Sequence, residues 1–311
     1  MRADHEATTE PVTLPLFTPP GNPNGWHRVM APGGYEWWRF EAMDERNDRQ
    51  IIAVIGQGWP FHREYVRRYR RYMRHPTRYP PPVPQDFPFV WFVLQERARL
   101  RASFFVSEGM QRFSDVGTAH VDVSMADCSF RFADGGVIEL TLRESSPPRS
   151  AGVSAQFTFR PRLRRCEAVQ RAVCGEAHQW ILTPQVYDVA GAVRLSGQAI
   201  DVAAIIPFNG RGVHDHQYGT QPCDAGPMLR AYIAQAEQGC VMLQVGREAR
   251  VIEFSNDGVQ ETTAAGVELA KRFLPGVVVG DVMELRSPRG VAGFPIVYDA
   301  TWRGRRCRAI G

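Results

Sequence analysis

The sequence is poor in cysteine and lysine and has no long hydrophobic run, and each scarcity excludes a class of protein. The six cysteines include no CxxC pair, which argues against a zinc ribbon or a dense disulfide framework and favours a reducing compartment. No apolar run is long enough to span a bilayer, and the start MRADHEATTEPVTLPLF lacks the apolar core of a signal peptide. We therefore expect a cytoplasmic protein, with peripheral membrane contact left open.

The positive charge is carried almost entirely by arginine. The chain has 37 Lys+Arg against 33 Asp+Glu, a formal net charge of +4. Such a small excess does not by itself indicate a nucleic-acid partner, and we predict none.

Short alternating segments dominate both halves of the 311-residue chain. Examples are YEWWRFEA, FVWFVLQ and CSFRFAD in the first half and GCVMLQVG and ARVIEFS in the second. Glycine, proline, aspartate and serine separate these segments, a pattern typical of β-barrels or sandwiches. We predict an all-β protein with an N-terminal extension (1–30), a first barrel domain (31–175) and a second barrel domain (176–311).

One segment, FHREYVRRYRRYMRH, is predicted to be a helix. Its arginines alternate with tyrosines, which could bind single-stranded nucleic acid or an anionic membrane surface. Tyr65, Tyr69 and Tyr72 follow an i, i+4, i+7 spacing, which favours an amphipathic helix that covers a barrel mouth.

The stretch GRGVHDHQYGTQP concentrates titratable groups. If it is extended, His214, His216 and Tyr218 share one face, and Asp215 lies on the other. Two histidines at this spacing could bind a metal, but a site needs further ligands, and the next carboxylates along the chain stand at unsuitable spacing. We therefore predict no metal.

The same stretch could supply an acid. A carboxylic acid in an apolar pocket can stay protonated at neutral pH, so Asp215 could protonate an alkene with His214 or His216 beside it. Faces of Tyr218, Trp37, Trp38 and Trp59 could stabilise the resulting cation. Alternatively, the motif closes the seam between the domains, with its polar groups hydrogen-bonded to backbone.

The stretch PGGYEWW places Tyr35 and Trp37 on one strand face after a turn at Gly33 and Gly34. An aromatic cluster of this kind is either packed core or the lining of a barrel pocket. Both interpretations stay open at the level of the sequence.

Two stretches carry a family resemblance. APGGYEWWRFEAMDERNDRQIIAVIG resembles the opening strands of the carotenoid hydratase family, and RGVHDHQYGTQP resembles the HDHNWG signature of the related AttH-like proteins. His214, Asp215, His216 and Gly219 match that signature, while glutamine and tyrosine replace its asparagine and tryptophan. The resemblance runs in order from about Pro32 to the C terminus.

This resemblance implies two tandem lipocalin-like β-barrels packed together, an apolar pocket and no redox cofactor. Members of the superfamily hydrate acyclic carotenoids, cyclise prenylated quinols as tocopherol cyclases do, or act as Diels-Alderase-type pericyclases. Of the aromatic stretch that follows the signature in the family, only Tyr232 is retained. The Tyr/Asp pair that hydratases carry on the next strand is missing from CVMLQV, which favours ring formation or isomerisation over hydration.

The combined prediction is a cofactor-independent enzyme, monomeric or homodimeric, that acts on a hydrophobic polyene by cyclisation, isomerisation or hydration. The alternative is a non-catalytic carrier of a lipid or isoprenoid. The predicted catalytic residues are Asp215, His214, His216 and Tyr218. The predicted substrate-binding residues are Tyr35, Trp37, Trp38, Trp59 and Tyr232.

Overall fold

The computed structural model of the chain describes residues 24–58, 63–107, 113–115, 122–144, 152–164, 167–172, 177–197, 200–220, 228–245, 248–265, 277–279, 283–289, 297–302 and 305–310. Within these ranges the protein consists of β-strands with one α-helix and two short 3-10 turns, at Pro84–Asp86 and Asp134–Gly136. The all-β prediction with a single short helix is confirmed. No helix in the described ranges is long and apolar enough to cross a membrane.

The elements follow one another with short connections. The helix is α1 (Arg63–Arg74), and the first nine strands are β1 (Tyr35–Asp44), β2 (Arg49–Gln57), β3 (Pro88–Glu96), β4 (Arg99–Val106), β5 (Phe113–Asp115), β6 (Asp122–Met125), β7 (Cys128–Phe132), β8 (Ile138–Arg143) and β9 (Gly152–Pro161). The others are β10 (Val169–Ala172), β11 (His178–Leu182), β12 (Tyr187–Gly197), β13 (Ile200–Gly219), β14 (Met228–Ala234), β15 (Gln238–Val245), β16 (Glu248–Ser255), β17 (Gly258–Ala265), β18 (Val277–Val279), β19 (Met283–Arg289), β20 (Val297–Trp302) and β21 (Arg305–Ile310).

The strands form two sheets. The first has the order β4-β3-β2-β1-β13-β12-β9-β8-β7-β6-β5, with β11 joined to β13 and β10 joined to β11. The second has the order β17-β16-β15-β14-β21-β20-β19-β18. Long β13 is central to the first sheet, because its early residues pair with β12, its last residues pair with β11, and β1 runs antiparallel beside residues 211–219.

The inner face of the first sheet encloses an apolar core. Alternate residues of β1, which are Trp38, Phe40 and Ala42, point into it and are almost completely buried. They meet side chains from the facing strands, among them Ile51, Phe92, Phe130 and Phe159. This side of the sheet is therefore packed with side chains, as the interior of a small barrel is.

The outer face of β11 and β13 packs against the second sheet, and we call this contact the seam. It is an apolar cluster of Leu163, Trp180, Leu182, Val186, Val213, Tyr232, Val241, Leu243, Ile252 and Phe254. The sheets divide between Gly219 and Met228, whereas the domain boundary predicted at residue 175 falls between β10 and β11 of the first sheet. The division of the chain into two domains at residue 175 therefore remains a prediction.

Helix α1 is anchored by its first tyrosine. Tyr65 is buried, its hydroxyl donates a hydrogen bond to the Gly34 carbonyl at 2.5 Å, and its ring packs against Phe87. Tyr69 and Tyr72 are half-buried, so the predicted inward spacing of the three tyrosines is confirmed. The helix therefore lies at the Gly34 end of β1.

Candidate active site

The HDHQYG motif forms the last part of β13, in the middle of the first sheet. Asp215 pairs with Arg39 of β1 on one side and with Leu182 of β11 on the other, and His216 pairs with Trp38 and Ile181. Because successive side chains of a strand point to opposite faces, the two histidines and the aspartate separate. The predicted alternation is confirmed, and it divides the predicted catalytic residues between two environments.

Gly219 ends the motif because there is no room for a side chain. A Cβ atom at this position would lie 2.6 Å from His178 Nδ1 and 2.7 Å from Tyr35 Cε1. The Tyr35 hydroxyl and His178 Nδ1 are 3.1 Å apart, within hydrogen-bonding distance. This close approach fixes the ends of β1, β11 and β13 against one another.

His214 faces the core of the first sheet. Its ring stacks on Phe40 at 4.8 Å, and its Nδ1 lies 3.1 Å from the Arg39 carbonyl oxygen. Burial lowers the pKa of His214 to about 3, so the ring is neutral at physiological pH. This environment is that of a packed core histidine.

His216 belongs to a buried trio with Glu36 and His27. Glu36 Oε1 lies 3.1 Å from His216 Nε2 and 3.1 Å from His27 Nδ1, and it accepts a 2.7 Å hydrogen bond from the backbone N–H of His27. All three side chains are 0–1% exposed. The ring of His216 stacks on Trp38 at 4.6 Å, and the ring of His27 stacks on Tyr218 at 3.9 Å.

The trio contains one negative charge. Burial opposes ionisation of Glu36, but the hydrogen bonds from His216 and His27 outweigh it and lower the pKa of the carboxyl. Burial also lowers the pKa of His27, although the bond to Glu36 acts in the opposite direction. The arrangement is therefore a buried carboxylate held by nitrogen donors, with the Tyr218 hydroxyl nearby accepting a 3.0 Å bond from Gln170.

This trio could in principle hold a metal ion, since its ligand atoms lie within 4.8 Å of one another. The sequence predicted no metal because it showed no further ligand near the two histidines. That reason is wrong, because Glu36 and His27 lie beside His216 in the fold although His27 and Glu36 are distant from it in sequence. Glu36 Oε1 is already within hydrogen-bonding distance of both histidines, whereas the buried Oε2 of Glu36 has no partner among the described residues.

We predict that no metal is required for activity or folding. Protein purified without chelator should contain far less than one equivalent of zinc, iron or nickel by plasma mass spectrometry. Dialysis against a chelator should change neither turnover nor melting temperature. A stoichiometric metal whose removal abolishes either property would show that the trio is a metal centre.

Asp215 faces the seam, away from both histidines of the motif. Its Oδ2 accepts a 3.1 Å hydrogen bond from Trp180 Nε1 and a short hydrogen bond from the Tyr232 hydroxyl. The side chain is 2% exposed and is surrounded by the apolar residues of the seam. The expected histidine partner is replaced by two aromatic donors, because the alternation of β13 turns His214 and His216 to the other face.

The contact between Asp215 and Tyr232 joins the two sheets. Tyr232 comes from β14, which begins the second sheet, and Asp215 comes from β13 of the first. A tyrosine and an aspartate are thus paired in space, although the strand CVMLQV carries no such pair. Only the packing of the sheets brings these two residues together.

A cavity of about 470 Å³ opens beside this pair. Tyr232, Val213 and Ala234 line it, whereas Asp215 lies behind Tyr232 and is not part of the wall. The pocket is expected to be apolar, and this expectation is wrong for the cavity found: its other walls include Glu41, Asp44, Asp188, Arg211 and Arg308. The polar side chains arise because the cavity lies where β1 ends in the charged turn at residues 45–48.

The aromatic residues predicted to bind substrate do not form one group, although the rings of Tyr35 and Trp37 stack at 4.4 Å. Trp38 belongs to the core of the first sheet, and its Nε1 donates a 2.9 Å bond to the Asn24 carbonyl. Tyr35 is buried beside His178, and Trp37 packs on an outer cluster with Met43. Of the predicted substrate-binding residues, Tyr232 lines the cavity and Trp59 lies outside the described residues.

Sequence reasoning missed three residues that complete these environments, namely His27, Glu36 and Trp180. Glu36 stands two positions before Trp38 in PGGYEWW, so the period of a strand places both on the face that His216 shares. The strand period therefore predicts the contact of Glu36 with His216 once the pairing of β1 with β13 is known. His27 precedes β1 in an irregular segment and had no such signal.

Helix α1 does not cover the cavity. It contacts Gly34, just before β1 begins, while the cavity lies at the Asp44 end of the same strand. Ten strand residues span about 30 Å. The predicted position over a pocket mouth is therefore wrong for this cavity, because Tyr65 holds the helix at the opposite end of β1.

The fold and the seam define a lipocalin-like β-sheet protein of the kind the sequence resembles. In sequence the chain is similar to hydroxyneurosporene dehydrogenase from Chlorobaculum tepidum, with 31% identity over 209 residues, which are 63% of this chain and 52% of that protein. This chain thus spans about half the length of that relative. No protein-family model matches the sequence.

Two crystal structures share the fold. An AttH-like protein from Nitrosomonas europaea aligns with a TM-score of 0.61 and 13% identity over 96% of this chain and 98% of its own. Kievitone hydratase from Nectria haematococca aligns with a TM-score of 0.56 and 10% identity over 96% of this chain and 92% of its own. The predicted resemblance to carotenoid-modifying and AttH-like proteins, and with it the lipocalin-like fold, is confirmed.

Proposed function

We propose that this protein is an enzyme that protonates an alkene of a hydrophobic small molecule and adds water to the resulting cation. The observation that carries the proposal is the contact between Asp215 and Tyr232, which places a buried carboxyl group against the hydroxyl of a residue that lines a cavity. The proposal requires Asp215 to carry its proton, which its apolar surrounding favours and its two hydrogen-bond donors oppose.

The comparisons support a substrate of this class. The name of one relative refers to a hydroxylated carotenoid, and one structural neighbour is named a hydratase. Neither name assigns an activity to this chain, since the first protein is matched over about half its length and the second shares the fold alone. Together with the Asp215–Tyr232 contact they support modification of an unsaturated, largely apolar substrate.

The chemistry can be written with this chain's own groups. The Tyr232 hydroxyl gives its proton to one alkene carbon, and the π electrons form the new C–H bond and leave a cation on the other carbon. For this step the hydrogen bond between the two side chains reverses, so that protonated Asp215 donates its proton to the tyrosyl oxygen and becomes a carboxylate. Water then forms a C–O bond with the cation. The proton released by water passes to the Tyr232 oxygen while the Tyr232 proton returns to Asp215, so that alkene and water give an alcohol and the enzyme is restored.

We propose that the cation reacts with water and not with a second double bond of the substrate. The wall of the cavity near Tyr232 carries several carboxylates, guanidinium groups and amides, which keep water at hand. A cyclase would instead exclude water from its cation. We therefore favour hydration over the ring formation that the sequence suggested, and the proposed reaction needs no cofactor.

Isotope labelling tests the proposal. Purified protein without added cofactor is incubated with neurosporene, 1-hydroxyneurosporene, kievitone or an unsaturated fatty acid in water enriched in oxygen-18, and products are analysed by mass spectrometry. Hydration adds one labelled water, isomerisation or cyclisation leaves the mass unchanged, and dehydrogenation removes two hydrogens. Binding of these compounds without any product would favour the carrier function instead.

Helix α1 suggests a further contact, with an anionic membrane surface from which a lipophilic substrate could be drawn. Arg67, Arg68 and Arg71 are exposed, and Met73 on the same helix is 55% exposed. Clustered arginines beside exposed apolar groups bind anionic bilayers, with about 1 kcal/mol for each cation near the surface. Tyr65 of this helix is buried and Tyr69 and Tyr72 are half-buried, which leaves little aromatic surface for stacking bases.

We predict that replacing Arg67, Arg68 and Arg71 together by glutamine leaves the melting temperature unchanged and weakens co-sedimentation with phosphatidylglycerol vesicles at least tenfold. Phosphatidylcholine vesicles serve as the control and should bind neither protein. If the wild type instead bound a labelled oligothymidine tightly, with a steep salt dependence lost in the variant, the helix would be a nucleic-acid site.

A further inference from the structure

Both acidic and basic side chains line the cavity beside Tyr232. Three of its four carboxylates have partners: these pairs are Glu41 with Arg39, Asp188 with Arg162, and Asp44 with Asn47. Arg308 is also engaged, through a 2.7 Å contact with Asp48. Glu45 and Arg46 are exposed and carry opposite charges at the rim.

Arg211 differs from these groups. It lines the cavity from β13, it is half-buried, and it forms no ion pair or hydrogen bond of its side chain with any residue that the structure describes. Because its side chain lies in the cavity wall without an acceptor from the described residues, the N–H groups of its guanidinium are available to a ligand in the cavity. This is the state expected of a group that receives its acceptor from a ligand.

The position of Arg211 relative to the proposed acid is fixed by the strand. Arg211, Val213 and Asp215 are alternate residues on one face of β13, so the Cα atoms of Arg211 and Asp215 lie about 13 Å apart. Val213 lies between Arg211 and Asp215 along β13 and, like Ala234 of β14, lines the cavity. The cavity therefore offers a proton donor, an apolar stretch and a cation in that order.

We propose that Arg211 binds a carboxylate on the substrate, at the end opposite to the alkene that Tyr232 and Asp215 protonate. The substrate class is then an unsaturated carboxylic acid, and not a pure hydrocarbon. Only the assignment of the reacting end rests on the proposed function. A guanidinium matches a carboxylate through two parallel N–H···O bonds, and the neighbouring Glu41, Asp44 and Asp188 disfavour a diphosphate with its larger negative charge.

Parinaric acid, a conjugated polyene fatty acid that fluoresces in apolar sites, and its methyl ester are suitable probes. Wild-type protein should bind the acid at least tenfold more tightly than the ester. The Arg211→Gln variant should lose this preference through weaker binding of the acid, with the ester bound as before. The expected loss of about tenfold to a hundredfold corresponds to charge-assisted hydrogen bonds of roughly 1.5–3 kcal/mol.

Arg46→Gln is the matched control, because it removes the same charge from the exposed rim of the same cavity. It should leave binding of the acid nearly unchanged, and all variants should melt as the wild type does. If both variants lost the same affinity for parinaric acid, the preference would come from the overall positive charge of the cavity and the proposal would be overturned. Equal binding of acid and ester by the wild type would overturn it as well.

Carboxylate binding by Arg211 and catalysis by Asp215 can be tested independently. Asp215→Asn should bind parinaric acid as well as the wild type does, whatever its effect on turnover. A carboxylate preference that depends on Arg211, together with unimpaired turnover in Asp215→Asn, would leave the binding site standing and remove the acid from the mechanism.

Discussion

Replacing Asp215 by asparagine should lower turnover by about a hundredfold or more, the usual scale for losing a general acid. Asparagine keeps the size of the side chain and can still accept the hydrogen bonds from Trp180 and Tyr232, but it carries no acidic proton. The melting temperature should therefore change little. Steady-state rates on the substrate identified by isotope labelling, with thermal melts of the same preparation, provide the measurement.

Two companion variants sharpen this result. Tyr232→Phe removes the hydroxyl that contacts Asp215 and should cause a loss of similar size. The double variant should be hardly worse than either single one, because the two groups act as a unit. Asp188→Asn, which removes a carboxylate from the same cavity where Arg162 is its partner, should leave the rate within a few-fold of the wild type.

The opposite pattern identifies a structural role. If Asp215 only closes the seam, the asparagine variant should be destabilised by roughly 1–3 kcal/mol through a disturbed buried network, while its rate at a permissive temperature survives. A normal rate together with a normal melt would falsify the acid assignment.

Replacing Glu36 by glutamine should lower the free energy of unfolding by about 3 kcal/mol or more. The glutamine oxygen can accept hydrogen bonds, but it lacks the charge that now attracts the donors of His27 and His216. Its NH₂ group would take the place of Oε2, a buried position without a hydrogen-bond partner among the described residues. Urea unfolding followed by far-ultraviolet circular dichroism measures the change.

Glu139→Gln is the control for this substitution. Glu139 pairs with Arg131 on the surface, where both side chains are about half exposed, so its loss should cost less than about 1 kcal/mol. Should Glu36→Gln retain wild-type stability and instead lose turnover, the trio would be part of the catalytic machinery, and the histidine side of β13 would be the active face.

The sequence by itself determined the local structure around the site. Alternation in YEWWRFEA and in VHDHQY predicted strands, and the strand period alone placed His214, His216 and Tyr218 opposite Asp215. The spacing of tyrosines in α1 predicted the face that Tyr65 buries. These features depend on neighbours within a few positions, which a sequence pattern records directly.

Only the tertiary structure decided which residues act together. His27 meets His216 across 189 positions of chain, Glu36 meets it through the pairing of β1 with β13, and Tyr232 reaches Asp215 because the second sheet packs on the outer face of the first. The polar wall of the cavity likewise arises where the end of β1 meets β13 and β14. Pairing of distant strands and packing of sheets depend on the whole set of buried surfaces, so no short stretch of sequence contains them.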